Sequence, residues 1–421
     1  MNTKSVLYVA YHYPPILGSS GVHRTLAFTR YLSENDWQVT VLTVDLVAYQ
    51  KWSPDQLNFI PEKAKVIRAF ARDTAKHLSV KGKYLAWMAL PDNLQSWIIG
   101  GVLSGLKDIR RNKPSVIVST YPIASAHFIG YILHKISGIP WVADLRDPMA
   151  QPGYPADKKK FFLFNWIERK IVKHASKAIL TAPGAKTFYQ DKFPNVDETF
   201  WQVIPNGYDE VIFDEIANEL EPATPETDEK KAILHSGVIY PHERDPTALF
   251  QAFGQLKRDG VISANSLEIR LRATGHDELY RPMLEKLEIE DIVKLLPPIE
   301  YKEALKEMFT VDGLLLMQSE GCNYQIPAKA YEYIRVNNPI LALTPKEGDT
   351  AQLVQHSGVQ CQISSLTDKQ DIISSIEKFV NTLCVETKEE QFNKNTATKY
   401  SRGEQANMFE QMLVEAINSQ N

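Results

Sequence analysis

Short apolar runs rich in β-branched residues alternate with helix-like stretches along almost the whole chain, and the alternation breaks only once. This pattern constrains the fold more than any other feature. The first series places strands at 5–13, 39–44, 116–120, 141–144, 178–181 and 202–205, with a helix over about 22–34 after the first turn. Runs this short and this apolar suit parallel strands covered on both faces. Pro205-Asn206-Gly207 ends the series, and 220–231, rich in Pro, Thr, Glu and Asp without an apolar period, reads as a linker. A second series follows at 232–236, 267–272, 293–296, 313–317 and 339–343. The expectation is α/β: two doubly wound halves of similar size. In open α/β sheets ligands sit at the carboxyl ends of the strands, so two such sheets face to face would hold a substrate in the cleft between them.

A chain of 421 residues with 44% hydrophobic and 23% charged residues has ample core for two domains. Its formal net charge of −4 gives no reason to expect a nucleic-acid partner. No apolar run reaches the roughly 18–20 residues that span a bilayer, and 5–13 is too short and too β-like for a signal peptide. Cys322, Cys361 and Cys384 are far apart and form no CxxC pair. That fits a reducing, cytoplasmic setting and argues against disulfides or a zinc site. Charge is uneven, however. Residues 63–113 hold 11 Lys and Arg against 3 Asp and Glu, which leaves −12 for the rest. Trp87, Met88, Leu90 and Trp97 are interleaved with them, and a second basic aromatic run, KKKFFLFNWI, starts at Lys158. Such helices lie on anionic lipid, or pack in a core with a solvated basic face; both readings are open.

Four places suit chemistry. The turn from Pro14 to Gly21 joins the first strand to the first helix, where backbone amides and the helix N-terminus favour an anion. It is neither GxGxxG nor a Walker loop, and a plain tight turn is the other reading. The second domain repeats this logic at His235-Ser236-Gly237, now with Arg244 close by, either a bidentate phosphate ligand or a partner of Glu243 or Asp245. In Ile326–Tyr333, helical spacing makes Lys329 and Glu332 neighbours. Glu332 suits a vicinal diol, and a Lys329–Glu332 ion pair is the alternative. Asp144, Arg146 and Asp147 end a strand, in a site or in an internal Arg–Asp network. His127 lies in an apolar helical stretch, as a site residue or a satisfied core histidine.

The segments PPILGSSGVHRTLAFTRYL, WVADLRDP, HSGVIYPHERDP and IPAKAYEY, with a closing KYSR before a helical tail, keep one order along the chain. In them the sequence resembles bacterial glycosyltransferases of family four, with the GT-B fold. The resemblance implies two Rossmann-like domains facing across a cleft. Residues 1–206 would form the acceptor side, 207–231 the linker and 232–398 the nucleotide-sugar domain, with 399–421 crossing back onto the first domain. It implies that Gly21, Gly237, Arg244 and Lys329 hold the donor phosphates, that Glu332 holds the ribose, and that His127 lies near the transferred sugar. The family's Glu-x7-Glu pair is incomplete, since Tyr324 stands eight residues before Glu332. Glu320, twelve before it, is the substitute to consider, and Val238 stands where many relatives carry Arg.

The activity so implied is retaining transfer from a nucleotide-diphosphate sugar, UDP by default, to a glycan or lipid-linked acceptor in surface polysaccharide or glycoconjugate synthesis. The resemblance implies that no metal or other cofactor is needed, while the separated cysteines and the basic stretches 63–113 and 158–167 point to a cytoplasmic enzyme peripheral at an anionic membrane. The departing diphosphate would take the acceptor's proton, and the protein would supply positioning and charge stabilisation. Two rivals stand. A sugar-nucleotide 2-epimerase needs a set of carboxylates and histidines that the sequence does not show. A catalytically silent partner subunit would fit the incomplete Glu-x7-Glu.

Overall fold

The computed structural model describes residues 4–17, 21–220, 230–384 and 397–419. The chain divides into two compact units, Met1–Pro205 with Arg402–Asn421, and Asn206–Ser401.

In the first unit seven parallel strands lie in the order β3-β2-β1-β4-β5-β6-β7. They are β1 (Ser5–Val9), β2 (Gln38–Val44), β3 (Lys65–Ala69), β4 (Val116–Thr120), β5 (Trp141–Arg146), β6 (Lys177–Leu180) and β7 (Trp201–Val203). The helices are α1 (Gly21–Glu34), α2 (Thr74–His77), α3 (Gln95–Asn112), α4 (Ala124–Ser137), α5 (Lys158–His174) and α6 (Pro183–Lys192). Alternation of side chains divides the sheet into two faces. Val6 and Tyr8 of β1 pack with Phe28 and Leu32 of α1 and with Phe409 and Leu413 of the closing helix Arg402–Asn418. Leu7 and Val9 take the opposite face, where α4 lies between α3 and α5. Close packing there needs small residues: a Cβ on Gly105 of α3 would stand 2.7 Å from Leu133 of α4 and 3.3 Å from Leu42 of β2.

The second unit is a six-stranded parallel sheet in the order β10-β9-β8-β11-β12-β13. Its strands are β8 (Lys231–Ser236), β9 (Leu267–Arg272), β10 (Val293–Leu296), β11 (Gly313–Met317), β12 (Ile340–Leu343) and β13 (Cys361–Ser364). Its helices are α7 (Glu210–Glu219), α8 (Thr247–Arg258), α9 (Asp277–Lys286), α10 (Tyr301–Thr310), α11 (Ala328–Val336), α12 (Asp349–Gln355) and α13 (Lys369–Leu383). Each sheet reverses its strand order once, between β1 and β4 and between β8 and β11. The crevice at the carboxyl ends of such a pair is where an open α/β sheet binds ligands.

Residues 210–219, expected in the linker, instead form α7. Phe213 and Ile216 are its buried face, and its carboxylates are committed: Arg335 of α11 reaches Glu210 at 2.7 Å and Asp214 at 2.8 Å. Most of the expected linker, 221–229, lies outside the described residues. No helix among the described residues is long and apolar enough to cross a membrane.

Candidate functional site

In the second unit the site is built where β8 ends. His235 is fully buried, and its Nδ1 lies 2.9 Å from the carbonyl oxygen of Leu315. A carbonyl only accepts, so Nδ1 carries the proton and Nε2 is left to accept. Lys329, in the first turn of α11, donates to it, with Nζ 3.1 Å from Nε2. Gly237 follows at φ +115°, where a glycine is favoured, and a Cβ there would come 3.1 Å from Lys329 Nζ. Burial, reinforced by Arg244 and opposed by Glu332, pushes the Lys329 ammonium down to about 7. Burial also holds His235 well below the usual histidine range, with Lys329 adding to it.

The alternative pairings at this site are not the ones formed. Asp245 accepts the Thr247 amide at 2.9 Å at the start of α8. Arg244 instead lies with its guanidinium 5.8 Å from the Tyr240 ring centre, its Nε buried without a hydrogen-bond partner. Glu332 accepts from the Tyr301 hydroxyl at 2.9 Å rather than pairing with Lys329. Lys329 thus feels one further cation, Arg244, and one carboxylate, Glu332, a balance suited to a diphosphate. Glu320 is exposed in a short turn, Glu320–Cys322. Buried Gln318 fixes that turn by donating Nε2 to the carbonyls of Cys322 and Gln325, both at 3.1 Å. Sequence reasoning missed Gln318; its one signal is a polar residue directly after the apolar run Gly313–Met317.

In the first unit His127 is fully buried on α4, with Nδ1 2.8 Å from Ser119 Oγ, which also accepts from Trp141 Nε1 at 2.8 Å. With Ser119 donating to Nδ1, the imidazole proton sits on Nε2, which is buried without a hydrogen-bond partner. Burial, opposed by Asp144, pushes His127 down to about 4. It is therefore neutral near pH 7, able to hydrogen-bond a hydroxyl but not to carry charge.

Asp144 is a clamp. It accepts from Arg24 of α1 at 3.3 Å and from Thr120 of β4 at 2.9 Å, while Arg24 also donates to the Pro205 carbonyl at 2.9 Å. The internal network is therefore real, but its arginine is Arg24, which sequence reasoning did not single out. Asp147 accepts from Thr181 at 3.0 Å, and burial pushes its carboxyl up. Arg146, at φ +62°, donates to the Tyr121 carbonyl at 3.3 Å and keeps a buried Nε without a hydrogen-bond partner. Gly21 opens α1 where nothing larger fits: a Cβ would meet His12 Nδ1 at 2.7 Å and Arg146 Nη1 at 2.8 Å. His12, also missed in the sequence, is pushed down to about 4 by burial and by Arg146. Residues 18–20 of the expected anion turn lie outside the described residues.

Residues 21–207 match the family described as Glycosyl transferase 4-like domain. Among solved structures, sucrose-phosphate synthase from Thermosynechococcus elongatus is 12% identical with a TM-score of 0.66, over 99% of this chain and 100% of its own. HepE of Anabaena, solved in complex with UDP-glucose, is 13% identical with a TM-score of 0.65 over 99% of both chains. A putative UDP-N-acetylglucosamine 2-epimerase from Listeria monocytogenes is 11% identical with a TM-score of 0.54, covering 96% of this chain and 94% of its own. No curated protein matches the chain. These likenesses fix the fold: the two units are Rossmann-like, and the architecture is GT-B.

Proposed function

We propose that this chain, with its glycosyl transferase 4-like domain over residues 21–207, transfers a sugar from a nucleotide-diphosphate donor, UDP-linked, to a glycan or lipid-linked acceptor with retention of configuration. The observation that carries the reading is the pair of cationic side chains at the end of β8. Lys329 stands beside Gly237 within electrostatic reach of Arg244, neither is ion-paired to a carboxylate among the described residues, and Glu332 stands one turn further along α11. A diphosphate supplies the missing negative charge, and a ribose diol suits the carboxylate. In this scheme Lys329 and Arg244 stabilise the leaving diphosphate as the glycosidic bond breaks, and Gly237, whose amide is held by the Arg272 carbonyl at 2.9 Å, leaves room for Lys329 beside it. In the first unit, His127 hydrogen-bonds a sugar hydroxyl. Neither a metal nor another cofactor enters the scheme.

The test is incubation with UDP-glucose and other nucleotide sugars. Slow release of free UDP and sugar, or transfer to an added acceptor, supports the transferase, and NMR of the new anomeric centre checks retention. The fold it shares with the Listeria protein keeps one rival in the same experiment. A donor recovered with its sugar inverted at one carbon identifies an epimerase, and tight binding without turnover identifies a silent partner subunit.

A further inference from the structure

The three helices α3, α4 and α5 lie side by side on one face of the first sheet, and their outward sides have an unusual composition. Together they carry ten Lys and Arg, among them Lys107, Arg111, Lys135, Lys159 and Lys173. They contain two carboxylates, Asp108 and Glu168, only 3% and 1% exposed, each paired with a lysine brought from elsewhere: Lys65 at 2.6 Å and Lys192 at 2.6 Å. No carboxylate of these helices therefore faces solvent, and exposed Asp157, directly before α5, is committed to capping it. A solvated face normally mixes both signs.

The same surface also exposes large apolar side chains. Ile99 and Leu103, one turn apart on α3, are 68% and 66% exposed, Ile136 of α4 is 60% exposed and Phe162 of α5 is 71% exposed. The preceding segment adds Leu85 and Trp87. It docks at the start of α3, where the Arg72 amide meets Ser96 Oγ at 2.8 Å, and at the start of α4, where Asp92 takes the Ser125 amide at 2.7 Å. Two of the aromatic residues expected to contribute do not: Trp97 and Phe164 are buried. Exposed Trp, Phe, Ile and Leu among unpaired cations form an interfacial surface, one that sinks apolar side chains below a plane of anionic headgroups.

We propose that the α3–α4–α5 face of the first unit docks on anionic lipid bilayer. The charge attracts the protein, and Ile99, Leu103, Phe162 and Trp87 enter the boundary between headgroups and acyl chains. A nucleic acid would be served by the cations alone and leaves the exposed aliphatic side chains unexplained.

The experiment is flotation of the full chain with vesicles of phosphatidylcholine alone or with about a third phosphatidylglycerol. Binding should require the anionic lipid and weaken as salt rises. Each basic residue near such a surface contributes roughly fivefold in affinity, so Lys159→Ala with Lys135→Ala and Lys173→Ala should weaken binding at least tenfold. Ile99→Ser with Leu103→Ser and Phe162→Ser should remove the fraction that resists high salt. All six positions are solvent-facing, and an unchanged melting temperature confirms the fold. Lys257→Ala with Lys294→Ala in the second unit should change nothing. Brominated lipid should quench tryptophan fluorescence in the native chain and much less in Trp87→Phe. Equal binding to neutral vesicles, loss of binding in the second-unit control, or duplex RNA bound as tightly as the anionic vesicles would overturn the proposal.

Discussion

Lys329 is the residue whose charge matters most to the donor site. It faces Arg244, His235 and Glu332, and its pKa of about 7 lies below the free-lysine value of 10.5. The native state therefore disfavours its ammonium: below pH 7 this opposes folding in full, and the penalty fades as pH rises from 7 to 10.5. Donor binding has the opposite dependence, because a diphosphate favours the ammonium. Affinity for UDP-glucose should be full below about pH 7 and fall above it by up to tenfold per unit. Titration calorimetry from pH 6.5 to 8.5 in two buffers should show this, with proton uptake on binding above pH 7. Lys329→Met should bind weakly with a flat profile, and a flat native profile would remove Lys329 from the phosphate site. Glu332 tests the other end of the nucleotide. Its Gln variant keeps shape and loses charge, at a cost of about 1.5–3 kcal/mol, or roughly 10- to 150-fold in affinity. Uridine binding should weaken in Glu332→Gln and not in Arg244→Ala; unaltered affinity would leave Glu332 only as the partner of Tyr301. His127→Ala should slow transfer while leaving nucleotide affinity intact, and no change in either would make it a core residue.

At the scale of elements, the connection from β8 towards α8 is the most sensitive. Gly237→Ala places a side chain at φ +115°, a strain on the order of 1–3 kcal/mol, and presses a methyl towards Lys329. Both the melting temperature and UDP affinity should fall; a variant of native stability and affinity would show that this turn is not part of the pocket. The same elements show what a sequence discloses. Interior strands such as Gly313–Met317 are unbroken apolar runs because both faces are covered, and they are legible directly. The edge strands β3 and β13 escaped notice. Lys65 and Arg68 give β3 the look of a basic loop, and β13 is the polar CQIS. α7 was lost for a related reason, since its acidic residues read as a linker when their partner, Arg335, lies over a hundred residues away. In the site, glycines and charged residues near strand ends were legible by position. Pairings across the sheet were not: Lys329 with His235 and Arg24 with Asp144 are set by topology, which no local spacing records.

For the whole molecule, two compact units imply two unfolding transitions. UDP at a hundred times its dissociation constant should raise the second unit's transition by about 2.7 kcal/mol and leave the first in place. Phe409→Ala, at the centre of the contact between α1 and the closing helix, should lower the first by about 3–5 kcal/mol. One merged transition, or a Phe409→Ala effect confined to the second, would show that the units are not thermodynamically separate. The route of the chain has a further consequence, for biogenesis. The first unit is interrupted: its sheet ends by residue 205, while the helix that covers Val6, Tyr8, Phe28 and Leu32 begins at Arg402. At about 5–20 residues per second, a ribosome spends roughly ten to forty seconds making the second unit, and through that time the apolar face of the nascent first sheet is covered by α1 alone, without the closing helix. During translation this protein should therefore depend on chaperones at its first half, although that half was made first.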